Sequence, residues 1–219
     1  MASGILAEAS LRELTKVARL FNLHGLNPIV IGGWAVYYYT KGAGSVDIDI
    51  VLPSEGAVRI FEKYSKQLGF SRDKRAKTRA LFRKEIKTKP GGPQEIELDI
   101  FILPQRNKLA SNRLIEIPWK LSEEYGREWK IEGDAIARVP EKEVLLLYKA
   151  AALMDRQFKI KTWVNLSKFT KDRLRSKIEK DKKDILGLLE LGVDKKRMDK
   201  LLKKTKFKES FEEALDKLL

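Results

Sequence analysis

The sequence predicts an α+β fold: a mixed sheet with flanking helices, followed by a helical C-terminal domain. Three observations carry this expectation. Residues 28–52 read as a short buried strand (Pro28 to Ile31), a glycine pair (Gly32, Gly33), a helix (Trp34 to Thr40), a Gly-rich turn (Gly42, Gly44, Ser45) and a second strand (Val46 to Leu52). The segment EIELDIFIL, Glu95 to Leu103, alternates acidic and apolar residues, as a strand with two unlike faces does. From Glu141 onward the apolar spacing becomes helical. Pro140 marks the switch, so a first domain is expected over 1–139 and a second over 140–219.

The 219 residues suffice for one large domain or two small ones, and 43% hydrophobic residues allow a sizeable core. There is no cysteine, which excludes disulfides and thiolate-held zinc. The single histidine, His24, cannot build a histidine-rich metal site or, by itself, a Ser-His-Asp triad. Any metal must therefore be held by carboxylates, which favours Mg²⁺ or Mn²⁺. The N-terminal residues lack the pattern of a signal peptide, and no run of about 18 apolar residues occurs, so no membrane span and a cytoplasmic location are expected. The net charge of +14 fits a polyanionic partner, either nucleic acid or a nucleotide triphosphate. A solvated, Lys/Glu-rich surface of the kind found in thermophiles accounts for the charge equally well.

In chain order, residues 7–24 place Leu11, Leu14, Val17, Ala18, Leu20 and Phe21 at helical spacing, with Ser10 as N-cap and His24 and Gly25 closing the helix. Pro53-Ser54-Glu55 reads as the start of a second helix, Ala57 to Leu68 as its body and Gly69 as its end. Residues 71–89 are dense in basic side chains around a strand at Leu81-Phe82 and Ile86. Across a Pro90 to Pro93 turn this strand pairs with Glu95 to Leu103 as a hairpin. Short strands are expected at Leu114 to Ile117, Glu128 to Ile131 and Ala135 to Val139. Helices follow at Glu141 to Arg156 and residues 171–190, then near Lys195 to Leu202 and Ser210 to Leu219.

Glycine lets a phosphate approach the backbone, and a helix start just after Gly32-Gly33 favours an anion. A plain tight turn is the commoner meaning of such a pair. Asp47 and Asp49 stand two residues apart on a strand, hence on one face, and neighbouring carboxylates repel unless a cation lies between them. Asp99 adds a carboxylate from another alternating strand. Three aspartates from two strands beside a glycine turn fit a two-metal phosphoryl or nucleotidyl transfer site. Lys149 lies among Leu145, Leu146, Ala150 and Leu153, and a buried lysine needs an anionic partner. Asp181 and Asp184 have a plainer meaning as helix caps and salt-bridge partners of Arg156 or Lys180. Two basic segments, Arg72 to Lys89 (with Arg75, Lys77, Arg79 and Arg83) and Arg156 to Lys183, would track a nucleic-acid backbone if they flank the cleft. Stacking aromatics are few there: Phe82, Phe158 and Trp163. The Tyr37-Tyr38-Tyr39 run reads mainly as packing.

Gly-Gly, a short helix, Asp-x-Asp on a strand and a distant third Asp on another strand span roughly residues 28 to 103. They resemble the nucleotidyltransferase superfamily whose archetype is DNA polymerase β. Glu141-Val144-Leu147-Lys149-Ala152-Arg156 and Lys180-Asp181-x-x-Asp184-Ile185-x-x-Leu188 resemble two helix motifs of AbiEii-type nucleotidyltransferases. The resemblance implies a nucleotidyltransferase-like mixed sheet and an enzyme that moves an NMP from an NTP to an acceptor hydroxyl with two Mg²⁺ (or Mn²⁺) ions. It implies that Asp47 and Asp49 bridge the metals, and that Asp99 binds one metal and orients or deprotonates the acceptor. Gly32, Gly33 and Ser45 would hold the phosphates, and Lys149, with Asp181 and Asp184, would contact the nucleotide. RNA, in particular a tRNA 3′ end, is the favoured acceptor; a protein or a small molecule such as an aminoglycoside is the alternative. A non-catalytic RNA-binding module is the competing class, and retention of all three aspartates argues against it. A toxin–antitoxin or abortive-infection role, with an antitoxin partner, follows from family analogy alone. One departure stands out. Many members carry Arg-x-Thr where this chain has Ala43 and Ser45; Ser45 keeps the hydroxyl, and Lys41 is the candidate to replace the missing charge.

Overall fold

A computed structural model describes residues 2–76, 80–88, 92–112, 115–216 and 218. Lys77, Arg79, Lys89, Pro90, Leu114 and Leu219, all named above, lie outside the described residues. The chain divides into two compact units. One is Met1–Gln105 with Trp119–Glu141; the other is Arg106–Pro118 with Lys142–Leu219. The ribbon 106–118 clusters with the C-terminal helices.

The first unit begins α1 (Ala2–Asn22), β1 (Ile29–Ile31), α2 (Gly32–Thr40), β2 (Ile48–Leu52), α3 (Glu55–Ser65), β3 (Ser71–Arg72), β4 (Ala80–Thr88), β5 (Gly92–Ile102). After the ribbon strands β6 (Arg106–Lys108) and β7 (Glu116–Pro118) it resumes with α4 (Lys120–Glu124), β8 (Gly126–Lys130) and β9 (Ile136–Pro140). Its strands form one mixed sheet in the order β3-β4-β5-β2-β1-β9-β8. β2 is antiparallel to β1 and parallel to β5, so the centre of the sheet carries both pairings.

Alternation decides which face is covered. Ile48 and Ile50 on β2, Leu98 and Ile100 on β5 and Phe82 on β4 share one face and are essentially inaccessible. Each such side chain contributes roughly 1.5–3 kcal/mol by leaving water. Phe61 of α3 packs edge-on against Phe82, with ring centroids 4.8 Å apart, and Phe21 of α1 stacks on Phe61 at 6.2 Å. The two helices therefore cover the apolar face, and the aspartates of β2 and β5 point to the other one.

Three sequence expectations change. Ser10 is no N-cap: α1 starts at Ala2, and the buried Ser10 hydroxyl accepts a hydrogen bond from Trp34 Nε1 at 3.0 Å. The alanine-rich first turns sustain helix earlier than the apolar pattern alone indicated. Gly32 and Gly33 belong to the first turn of α2 and do not precede it. β2 begins at Ile48, which leaves Asp47 in the bend leading into the strand.

The second unit contains the antiparallel β6–β7 ribbon and α5 (Lys142–Thr162), α6 (Lys168–Glu190), α7 (Lys195–Thr205) and α8 (Lys208–Asp216). α6 extends three residues before the expected start because Ser167 caps it, its Oγ accepting from Thr170 N at 3.2 Å. Asp194 caps α7 in the same way, accepting from Arg197 N at 3.1 Å. Leu146, Leu147, Ala150 and Leu153 of α5 are fully buried, as are Ile185 and Leu188 of α6, Leu201 of α7 and Ala214 of α8. Asp155 of α5 accepts from the Ala110 N–H of the ribbon at 2.8 Å, which ties ribbon to helix.

Candidate active site

Ile31, the last residue of β1, pairs with Asp49 of β2, and Asp49 pairs in parallel register with Asp99 of β5. Paired residues on neighbouring strands point to the same face, with strands about 4.8 Å apart. The two carboxylates thus stand side by side. Asp99 is only 7% exposed and Asp49 is half-buried. Asp47, two residues earlier in the bend, is also half-buried.

Gly32 closes this arrangement from the third side. Its φ is +66°, in the left-handed region that favours glycine. A Cβ there would lie 2.1 Å from Asp49 Oδ2 and 2.8 Å from Asp49 Cγ. The Asp49 carboxylate therefore rests against the backbone at the start of α2. The residue before the helix, Ile31, has no side chain able to cap it. The first N–H groups of a helix lack intrahelical partners and carry partial positive charge, so an anion near Gly32 and Gly33 is favoured.

The turn between α2 and β2 is fixed by packing. Gly44 has φ +73°, and a Cβ there would meet the Trp34 ring at 2.9 Å. Ser45 next to it is 4% exposed. Ala43 is exposed. Lys41 closes α2 with a left-handed backbone (φ 52°), and its ammonium lies 5.3 Å from the Tyr38 ring centroid and 5.7 Å from that of Tyr37. Two members of the tyrosine run thus hold Lys41, while Tyr39 donates its hydroxyl proton to the Pro140 carbonyl.

The donor set suits a hard cation: carboxylate oxygens on adjoining strands, with no sulfur and no imidazole. Among the described residues, however, no group of three or more His, Cys, Asp or Glu side chains converges closely enough to hold an ion as it stands. Asp49 and Asp99 are positioned as a pair by sheet register, whereas Asp47 is set by the bend before β2.

Lys149, Asp181 and Asp184 meet inside the helical unit. Lys149 Nζ is 2.7 Å from Asp184 Oδ2 and 3.3 Å from Asp181 Oδ1, and Asp181 also pairs with Arg156. Lys149 and Asp181 are 8% and 3% exposed. The anionic partner that a buried lysine requires is supplied within the unit, and the Arg156–Asp181 salt bridge named as the plainer alternative is present.

The described part of the basic segment is largely neutralised. Arg75 bonds both carboxylate oxygens of Asp73 at 3.0 Å, which draws the Asp73 pKa down to about 2, through the Arg75 side chain first and its backbone N–H second. Arg83 reaches Asp73 at 3.1 Å, Glu95 at 2.5 Å and Glu97 at 3.0 Å. Glu97, 8% exposed and two residues before Asp99 on the same face of β5, is a buried acid absent from the candidate set. The Glu95-Glu97-Asp99 alternation marked its face, but its pairing with Arg83 depends on hairpin register.

No protein-family model matches the chain, and no curated protein matches it. Among solved structures, an antigenic nucleotidyltransferase-like protein from Paracoccidioides brasiliensis is similar with a TM-score of 0.53 at 14% identity, over 94% of each chain. The antibiotic-resistance factor ANT(2'')-Ia gives a TM-score of 0.37 at 11% identity over 83% of this chain and 90% of that one, too low a score to bear on the fold. The first similarity shows that this chain has a nucleotidyltransferase-like fold.

Proposed function

We propose that the chain is a nucleotidyltransferase that moves an NMP from an NTP to an acceptor hydroxyl and releases pyrophosphate. One observation carries it: the Asp49 carboxylate rests against Gly32 at the start of α2 and stands in register with Asp99. A helix start, whose free N–H groups favour an anion, thus adjoins a pair of acidic side chains. Two divalent ions, Mg²⁺ or Mn²⁺, would offset the triphosphate charge and favour the ionised acceptor hydroxyl. Asp47, Asp49 and Asp99 are the residues that would hold them. Asp99 accepts the proton of the attacking hydroxyl. The acceptor oxygen forms a bond to the α-phosphorus as the bond to the bridging oxygen breaks, and the electron pair leaves with pyrophosphate. The N–H groups of Gly32 and Gly33 and the Ser45 hydroxyl orient the β- and γ-phosphates. The nucleotide contact assigned by resemblance to Lys149, Asp181 and Asp184 competes with the ion pairs those residues make with one another.

RNA, with a tRNA 3′ end first, is the acceptor we favour, on the net charge of +14. The neutralised Arg75 and Arg83 favour the second reading, a protein or small-molecule acceptor. The AbiEii-type assignment, and with it an antitoxin partner, rests on the helix motifs alone. No helix among the described residues is long and apolar enough to cross a membrane. The test incubates the protein with each α-labelled NTP, Mg²⁺ and total RNA. Label should enter RNA, and Asp47→Asn should abolish uptake with the fold intact. Undiminished uptake by that variant overturns the metal assignment; label in protein or small molecules selects the second acceptor class.

A further inference from the structure

α5 and α6 run antiparallel, as the Lys149–Asp184 and Arg156–Asp181 pairs require, and residues 163–167 join them. At this tip Trp163 is 51% exposed, Val164 89% and Phe169 78%. Isolated exposed apolar side chains are ordinary; three within seven residues mark a contact surface. The tip is an ordered turn. Trp163 N donates to the Lys159 carbonyl at 3.0 Å, and Ser167 caps α6. Its rings are therefore presented on a fixed scaffold.

Within the turn and its immediate flanks the charge is of one sign, and the nearest acid in sequence is Asp172, just beyond them. KIKTWVNLSKFTK, Lys159 to Lys171, holds four lysines and no acidic residue. Lys161 and Lys168 are exposed on either side of the turn, and the Lys159 ammonium lies 5.5 Å from the Trp163 ring centroid. Arg75 and Arg83, by contrast, already face carboxylates. Flat aromatic surfaces interleaved with cations match a single-stranded polynucleotide, whose bases stack and whose phosphates attract lysine. A membrane-surface helix would need an apolar face along its length. Here the apolar residues are confined to one turn, and the adjoining stretch of α6 carries an exposed ion pair, Arg175 with Asp172 at 3.3 Å.

We propose that the α5–α6 tip binds single-stranded RNA, with bases stacked on Trp163 and Phe169 and phosphates held by Lys161 and Lys168. That the strand is RNA rests on the acceptor favoured above; the binding itself needs neither NTP nor metal. The test is fluorescence anisotropy of the full chain with a labelled single-stranded RNA of roughly 15 nucleotides, without NTP or divalent ions. Replacing Trp163 and Phe169 together by alanine should weaken binding about tenfold or more at an unchanged melting temperature. Trp163→Phe with Phe169→Tyr, which keeps both rings, should stay within about threefold of the parent. Lys161→Glu with Lys168→Glu should weaken binding and flatten its salt dependence by about 1.4 in log–log slope. Parent-like affinity in the double-alanine variant overturns the proposal. So does a variant that loses affinity for phosphatidylserine vesicles while its RNA affinity stays. A chain that binds RNA through the tip yet transfers no nucleotide supports this proposal and overturns the catalytic one.

Discussion

Gly32 links the fold to the chemistry at the scale of a single residue. Its positive φ and the contact with the Asp49 carboxylate both forbid a side chain. Gly32→Ala should therefore do two things at once. It should destabilise the first unit by roughly 2–4 kcal/mol, combining left-handed strain with overpacking. It should also push the Asp49 carboxylate out of register with Asp99 and lower any metal-dependent transfer more than the stability loss explains. Urea unfolding and label uptake, measured side by side, check this; a variant with parent stability and activity would mean the close approach is not required. Alternation alone put Asp49 and Asp99 on the polar faces of two strands, so those residues were legible in the sequence. Their adjacency was not. Nothing local in the chain says that β2 pairs with β5, or in parallel, since that choice is made by α1 and α3 covering Ile48, Ile50, Leu98 and Phe82. The same holds for Arg83, which reads as a free cation in sequence and is a carboxylate partner in the sheet.

At the scale of an element, the α5–α6 hairpin is held by charge as well as by leucine. Lys149 was legible as a buried lysine in need of an anion, because its helical neighbours are apolar. Which anion answers it depends on how α6 lies along α5, which no spacing encodes. Lys149→Met removes one cation from two carboxylates whose side chains are 4% and 15% exposed, and Arg156 remains for Asp181 only. Such a change should destabilise the helical unit by roughly 3 kcal/mol. Adding Asp184→Leu should recover most of that loss, because it removes the stranded charge. Thermal denaturation of the single and double variants checks it; a double variant no better than the single would assign the loss to packing. Short elements stayed hidden: β3, β6 and α4 have two, three and five residues, too few to show a period. Caps also reset boundaries, as Ser167 does for α6.

At the scale of the whole molecule, carboxylates with displaced proton affinity set the response to acid. Asp73 is lowered from 3.8 to about 2 by its bonds to Arg75. Glu116 is lowered by hydrogen bonds from Arg106 and Lys108, Asp134 by Arg19, and Asp194 by the Arg197 N–H. A lowered carboxylate stabilises the fold above its unfolded pKa and loses that contribution as pH falls through the folded value. Asp155 runs the other way: burial raises it, so its effect favours the fold at low pH and fades as pH rises through the raised value. As pH falls from 4 to 2 the contribution of Asp73 is lost, and Asp73→Asn should flatten the fall in stability over that range. Urea unfolding from pH 6 to pH 2 reads the curve, and stability that rises on acidification would contradict it. The basic balance of the chain bears on the proposed acceptor, and the proposed transfer chemistry does not depend on that choice. The most direct measurement is NTP turnover in Mg²⁺ or Mn²⁺ by the parent and by Asp99→Asn at matched melting temperatures. The parent should release pyrophosphate with label transferred to an acceptor, and Asp99→Asn should be slower by about a hundredfold or more, the range expected for loss of a general base. Equal turnover by the two proteins would contradict the placement of the reaction at the Gly32–Asp49–Asp99 junction.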